Sequence, residues 1–257
     1  MLKKGSDLFF RLGEAGREGA VAASGASVQS TLALDGVPAN IARPDLPDTF
    51  PARLPSAAPK NKSDPFFWPL EDAELRYWPE AFTAEEAERL FAALRTGLAW
   101  ASEEVVIFGE RRRVPRLVAW YGEPDAIYTY SGVRHEPLAF TPDLIAIRER
   151  IEQLSGARFN SVLANLYRDG RDGMGWHADD ERELGTNPVI ASVSLGATRR
   201  FCMRHRKRKA LTYAIDLAPG SLLVMAGATQ HHWLHALPKT QRVVGERINL
   251  TLRRVLA

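Results

Sequence analysis

The sequence predicts an α+β fold: a double-stranded β-helix, or jelly roll, flanked by two helices on its N-terminal side and preceded by a disordered tail. Three observations predict it. Two capped amphipathic segments lie between Thr83 and Gly156. After Gly156 the hydrophobic period drops from about 3.6 to about 2, the change from helix to strand. The strand-like runs that follow do not alternate with helices, which argues against a parallel doubly wound sheet and for two facing sheets.

Residues 1–62 read as a disordered tail. Gly, Ala and Ser dominate its first half, with at most a short helix around Leu8 to Leu12. Pro38, Pro44, Pro47, Pro51, Pro55 and Pro59 punctuate the second half, removing backbone donors and opposing regular structure. The folded domain is expected over 63–257, and Phe66, Phe67, Trp68 and Leu70 suit a first strand or docking segment. Thr83-Ala84-Glu85-Glu86 is a capping box, in which hydroxyl and carboxylate satisfy two orphan amides reciprocally. The helix it opens carries Ala87, Leu90, Phe91 and Leu94 on one face and ends near Gly97. A second helix has Pro142 in its first turn, Leu144, Ile147, Ile151 and Leu154 at helical spacing, and Gly156 as its stop. Strands are expected at 159–167, 189–195, 211–217, 221–225 and 247–255.

Bulk composition excludes several classes. With 45% hydrophobic residues in 257, the chain has the material for a sizeable core, as one domain with an extension or as two small ones. A single cysteine, Cys202, excludes an intramolecular disulfide and any multi-cysteine zinc site. No run approaches the roughly 18 apolar residues of a membrane span. Lys3 and Lys4 lack a following apolar stretch, so secretion is not expected.

The chemistry is expected in the stretch from Asn165 to Glu181. Its centre, His177-Ala178-Asp179, places an imidazole and a carboxylate two residues apart, where an extended backbone points both the same way. Two histidines and one carboxylate with open positions suit a non-haem Fe(II) oxygenase, and His235 is the candidate for the second histidine. On the last strand Arg247, Asn249, Thr251 and Arg253 share one face, while Ile248, Leu250 and Leu252 share the other. Two inward arginines are costly unless they meet anions, and a dicarboxylate would account for them. An exposed strand face with solvated arginines fits the strand equally well.

Four pieces in this order, Asn165-Leu-Tyr167, His177-Ala-Asp179, His235-Ala-Leu-Pro and Arg247-Ile-Asn249-Leu-Thr251-Leu-Arg253, resemble the AlkB family of Fe(II)/2-oxoglutarate dioxygenases. The resemblance runs from the Phe66 region to the C-terminus. It is strongest to the group in that family that prefers duplex DNA, through Asp179 to Leu184, Val114-Pro115-Arg116, Tyr121-Gly122 and Tyr128 to Gly132. It implies oxidative demethylation of alkylated bases such as 1-methyladenine and 3-methylcytosine, with Fe(II), 2-oxoglutarate and O2. By the same resemblance His177, Asp179 and His235 would hold the metal. Arg247 would grip the distal carboxylate of 2-oxoglutarate, and Arg253 would lie near its 1-carboxylate and Asp179. Asn165, Tyr167, Asn249 and Thr251 would complete the co-substrate site. Tyr130 and the His177 ring would sandwich a flipped base, with Tyr128 at its edge, Glu181 as its reader and Arg116 also in the substrate set. Val106-Ile107-Phe108-Gly109 resembles the hydrophobic finger with which the duplex-preferring group fills the vacated stack.

From Arg199 to Lys209 seven basic side chains and no acidic ones occur, an expected phosphate footprint on a hairpin. Arg111, Arg112 and Arg113 form a second basic cluster. The adjacent His231 and His232 are expected to be decoys rather than ligands. Lys239-Thr240-Gln241-Arg242 departs from the family's basic triplet and places duplex preference in doubt, and Ala178 removes a side-chain contact to substrate. An RNA or protein demethylase, or a silent nucleic-acid-binding module, are the alternatives. The partner is expected to be alkylated DNA, single- or double-stranded, or RNA, and the chain a monomer. No membrane association is expected. The site of action is expected to be the cytoplasm of a bacterium or the nucleus of a eukaryote.

Overall fold

Backbone pairing in the computed structural model gathers the strands into two main antiparallel sheets. The structure describes residues 64–256 apart from 108, 109, 131 and 132, and leaves out the side chains of 105–112 and 128–135. The chain runs β1 (Phe66–Trp68), β2 (Glu74–Trp78), α1 (Ala84–Gly97), β3 (Ala101–Ile107), β4 (Glu110–Gly122), β5 (Tyr128–Tyr130), β6 (Val133–His135) and α2 (Pro142–Ser155). It continues β7 (Ser161–Tyr167), β8 (Met174–His177), β9 (Ile190–Gly196), β10 (Arg199–His205), β11 (Thr212–Leu217), β12 (Leu222–Ala226), the short α3 (Thr229–His232), β13 (Trp233–Leu237) and β14 (Arg247–Arg253). The larger sheet has the order β1-β2-β12-β9-β14-β7-β4-β3 and the smaller β11-β10-β13-β8, while β5 and β6 pair alone. This is the expected jelly roll.

Both expected helices form as their caps dictate. Thr83 Oγ1 accepts from Glu86 N at 3.2 Å while Thr83 N donates to Glu86 Oε2 at 2.8 Å, an arrangement that stabilises a helix start by about 1 kcal/mol. Thr141 caps α2 with Pro142 in its first turn, and Gly156 closes it in the left-handed region at φ 72. The buried faces, Ala87, Leu90 and Leu94 of α1 and Leu144, Ile147 and Ile151 of α2, cover one side of the larger sheet. There they meet Ile248, Leu250 and Leu252, the aliphatic face of β14, each wholly buried. A second apolar layer, including Leu75, Ile190, Met203, Leu223, Met225 and Trp233, fills the space between the sheets.

The structure corrects several expectations. Strands β1 to β6 precede α2, so the sheet is not confined to the chain after the helices. The hairpin expected at Arg199 to Lys209 does form, from β10 and β11; what was not expected is that Arg199 to His205 make a full strand that also pairs with β13. Val106 and Ile107, the start of the segment that resembles a hydrophobic finger, end β3, which pairs antiparallel with β4. The tail 1–62, including its expected helix, and Phe108 lie outside the described residues. Among the described residues no helix is long and apolar enough to cross a membrane.

Candidate active site

The polar face of β14 looks into a cavity between the two sheets, walled by Asn165 and Tyr167 of β7, His177 of β8, and His235 of β13. Cross-strand pairing fixes this wall, because Arg247 stands opposite Tyr167 and Asn249 opposite Asn165. The solvated-strand alternative is therefore excluded: Arg247, Asn249, Thr251 and Arg253 all line the cavity and none is more than 8% exposed.

His177, Asp179 and His235 each offer a ligand atom, and these atoms lie within 4.8 Å of one another. Strand pairing brings the histidines together, since His235 stands opposite His177, and their ring centroids are 4.1 Å apart. Strand β8 ends at His177, so Asp179 enters from the loop beyond and not from the same extended run. His177 Nδ1 lies 2.9 Å from the Gly175 carbonyl, which can only accept. The proton is thereby fixed on Nδ1, and Nε2 keeps its lone pair for a metal. One Asp179 oxygen accepts from Arg253 Nη2, and the backbone N–H of Asp179 donates to Gln230 Oε1 at 2.9 Å. The other oxygen, Oδ2, is buried without a hydrogen-bond partner, 3.7 Å from His235 Nε2. A buried carboxylate oxygen facing two imidazoles is costly by itself and fits a divalent cation.

Burial holds the His177 imidazole below its ordinary pKa against the opposing pull of Asp179. Burial, helped by His177, pushes His235 down to about 3. Burial raises Asp179, but Arg253 and the two histidines outweigh it and leave the carboxyl below the usual range. The site is therefore preset with neutral imidazoles and an ionised carboxylate at neutral pH. An unfolded histidine binds its proton near pH 6.5, so the unfolded chain takes up protons first as pH falls. Stability is full above about 6.5 and is lost as pH drops towards the folded value. The metal-free protein should show a melting temperature that declines steadily from pH 7 to 5. In His235→Asn that decline should be shallower when thermal unfolding is followed across the same range, and an unchanged slope would count against the buried neutral ring.

Arg247 donates to Ser194 Oγ at 2.9 Å, and its Nε is buried without a hydrogen-bond partner. Among the described residues no carboxylate lies within ion-pairing distance of it. Burial lowers its pKa to about 10, which leaves it charged at neutral pH. A buried guanidinium beside an open cavity is an anion site, with planar geometry matched to a carboxylate. Asn249 donates to Ser192 Oγ and the Val193 carbonyl, and Thr251 donates to Asn249 Oδ1, so these two form wall as well as site.

Arg116, expected at the substrate, is buried and donates from Nε to Asn165 Oδ1 at 2.7 Å. Through that bond it braces the Asn165 side of the cavity wall. Tyr128 and Tyr130 lie on β5, but their side chains are outside the described residues. Glu181 is half-buried just before the short 3-10 turn at Arg182–Leu184. The basic run is largely engaged within the protein. Arg199 is buried, Arg200 pairs with Asp216, Arg206 with Asp180, and Arg208 with Glu71 and Asp72. Arg204 lies over the Trp176 ring. Lys207 and Lys209 stand exposed, so the expected seven-cation footprint is much reduced. Arg113 of the second cluster pairs with Glu104 at 3.6 Å. His231 is exposed, and His232 turns to Asp72 at 3.9 Å; neither lines the cavity.

Sequence reasoning missed Gln230, Ser192, Ser194 and Phe201, whose ring stacks on His235 at 5.4 Å. The serines were detectable, since Ser192 and Ser194 alternate on β9 as the polar residues do on β14. Nothing in the pattern around Gln230 marks it.

Comparison with known proteins agrees with this geometry. A sequence model of the 2OG-Fe(II) oxygenase superfamily matches residues 74–253. The chain is 40% identical over 185 residues to a Mus musculus protein named DNA oxidative demethylase ALKBH2, covering 68% of this chain and 77% of that one. It is 40% identical over 187 residues to the Homo sapiens alpha-ketoglutarate-dependent dioxygenase alkB homolog 3, covering 69% and 65%. A solved structure titled "The structure of OsALKBH1" superposes with a TM-score of 0.51 at 13% identity, covering 70% of this chain and 97% of that one, a likeness of fold alone. With the motif order, the cavity and these relatives in agreement, the chain belongs to the 2OG-Fe(II) oxygenase superfamily and, within it, to the AlkB family.

Proposed function

We propose that this protein demethylates N-alkylated DNA bases, 1-methyladenine and 3-methylcytosine among them, consuming 2-oxoglutarate and O2 and releasing formaldehyde, succinate and CO2. The observation that carries the proposal is one cavity holding both a two-histidine, one-carboxylate cluster and a buried arginine that lacks a carboxylate. The name DNA oxidative demethylase supports DNA as the substrate class, and the name alpha-ketoglutarate-dependent dioxygenase supports the chemistry.

In this reading His177 Nε2, His235 Nε2 and the Asp179 carboxylate hold Fe(II). When bound, the metal supplies activation of O2 coupled to decarboxylation of 2-oxoglutarate. The protein does the rest through placement. Arg247 receives the distal carboxylate; Asn165, held by Arg116, and Tyr167 flank the co-substrate; Arg253 and Gln230 fix Asp179. The apolar layer between the sheets keeps water from the reacting groups. Tyr128, Tyr130 and Glu181 are assigned to the flipped base, and Phe108 to the wedge that replaces it in a duplex.

Oligonucleotides bearing one 1-methyladenine or 3-methylcytosine, single- and double-stranded, in DNA and in RNA, test the proposal. Formaldehyde and succinate should appear in equal amounts with DNA. Phe108→Ala should lower duplex turnover about tenfold or more while single-strand turnover changes little, because base-step wedging is worth a few kcal/mol. Turnover on RNA alone would replace the substrate class, and equal loss on both DNA forms would remove the wedge.

A further inference from the structure

Arg199 is a buried cation that the proposed mechanism does not use. It begins β10 on the smaller sheet, is 3% exposed, and does not itself line the cavity. Among the described residues no carboxylate comes within ion-pairing distance of it. The nearby Asp172 and Asp169 are each engaged by another arginine, Arg168 at 2.7 Å and Arg171 at 2.6 Å. Its guanidinium instead donates to three backbone carbonyls, Asp169 at 3.1 Å, Asp172 at 2.9 Å and Pro238 at 2.9 Å. The first two lie in the loop that leads into β8 and His177. The third directly follows β13 and His235. The glycines of that loop approach the same segment closely: a Cβ on Gly170 would meet the Thr240 carbonyl at 2.3 Å, and one on Gly173 the Leu237 carbonyl at 2.7 Å. One side chain thus ties together the two segments that carry the histidines.

A second relation points into the cavity. The Tyr167 ring lies 5.9 Å from the Arg199 guanidinium and 5.5 Å from that of Arg247. Two buried cations therefore share one aromatic ring at the end of the cavity where the anion site lies. Neutral carbonyls satisfy the hydrogen bonds of Arg199, Asp172 and Asp169 offset its charge only in part because each is paired with another arginine, and a low-dielectric interior carries the remainder further than water does.

We infer that Arg199 is a positioning and specificity residue for the co-substrate: from behind Tyr167 it adds the second positive charge that selects a 2-oxo acid with a distal carboxylate. The inference rests on the proposed role of Arg247 and extends it to a residue outside the cavity wall.

The test is binding rather than turnover. Calorimetry on the Mn(II)-loaded full chain compares 2-oxoglutarate with 2-oxopentanoate, which keeps the chelating 2-oxo carboxylate and lacks the distal one. The wild type should prefer 2-oxoglutarate. In Arg199→Gln its dissociation constant should rise about tenfold, the order expected for loss of one nearby buried charge acting through protein rather than water, while that for 2-oxopentanoate changes less than about twofold. Arg199→Lys keeps the charge and loses the three-carbonyl clamp, so it should retain most of the preference, and it carries the test if the glutamine variant does not fold. Parallel loss for both acids, no change for either, or loss of preference in the lysine variant would overturn the inference while leaving Arg247 in place. A wild type that does not prefer the dicarboxylate, or an Arg247→Gln variant that keeps the preference, would instead overturn the reading beneath it.

Discussion

Asp179→Ala is expected to abolish 2-oxoglutarate turnover, by a factor of at least about 10³, and also to weaken the fold before any metal is added. The first effect follows from removing the one anionic ligand of the cluster, without which two neutral imidazoles hold a divalent ion poorly. The second follows from Arg253, which is 5% exposed and donates to Asp179 Oδ1. Deleting one partner of a buried ion pair leaves the other charge uncompensated, typically at about 3–5 kcal/mol. Asp179→Asn keeps an acceptor for Arg253 and should fall between wild type and alanine in stability while sharing the loss of turnover. Succinate release, together with urea unfolding of the metal-free protein, separates the effects. Substantial turnover in the alanine variant would remove Asp179 from the metal site, and wild-type stability would contradict its pairing with Arg253.

Arg247→Gln is expected to raise the KM for 2-oxoglutarate by roughly 100-fold, since a charge-assisted bidentate contact is worth about 1.5–3 kcal/mol or somewhat more. Its effect on stability should have the opposite sign. Arg247 is 2% exposed, makes one hydrogen bond to Ser194 and leaves Nε without a partner. Burying such a cation is a cost to folding, so replacing it should leave the metal-free protein equally stable or more so. Two arginines six residues apart on one strand thus behave differently, because Arg253 has its carboxylate within the protein and Arg247 awaits one from the ligand. Equal destabilisation by both substitutions would argue that Arg247 is structural.

The clearest signals in the sequence were periodic and local. The alternation on β14 separated Ile248, Leu250 and Leu252 from the four polar residues, and both faces lie where that pattern puts them. The helices were legible because Thr83, Glu86, Thr141, Pro142 and Gly156 each carry a boundary signal. Charge misled at the start of β10. Arg199 and Arg200 count in the expected phosphate footprint, yet they open a strand whose alternate residues Phe201 and Met203 are core, and Arg199 is itself buried. Periodicity reports which residues share a face but not which strands are neighbours, and β14 lies between β7 and β9 through pairings distant in sequence. Convergence of His177 and His235 depends on just such a pairing: the chemistry of the His177-Ala-Asp179 pair called for a second histidine and the family resemblance supported His235, but no periodicity shows that β13 lies beside β8. Gln230 is wholly buried and holds Asp179 N; a lone amide in a short helix carries no periodic mark.

The place of β14 in the larger sheet has a consequence for synthesis on the ribosome. Strands β7 and β9 emerge first, each with an open edge where its partner belongs, and they must wait for residues 247–253 before the centre of the sheet can close. Until then neither the anion site nor the carboxylate clamp at Asp179 exists, and the nascent chain presents two unpaired edges to any neighbour. The outer strands on either side can pair earlier, but the centre of the sheet closes only with β14, and that closure completes the anion site and the Asp179 clamp together.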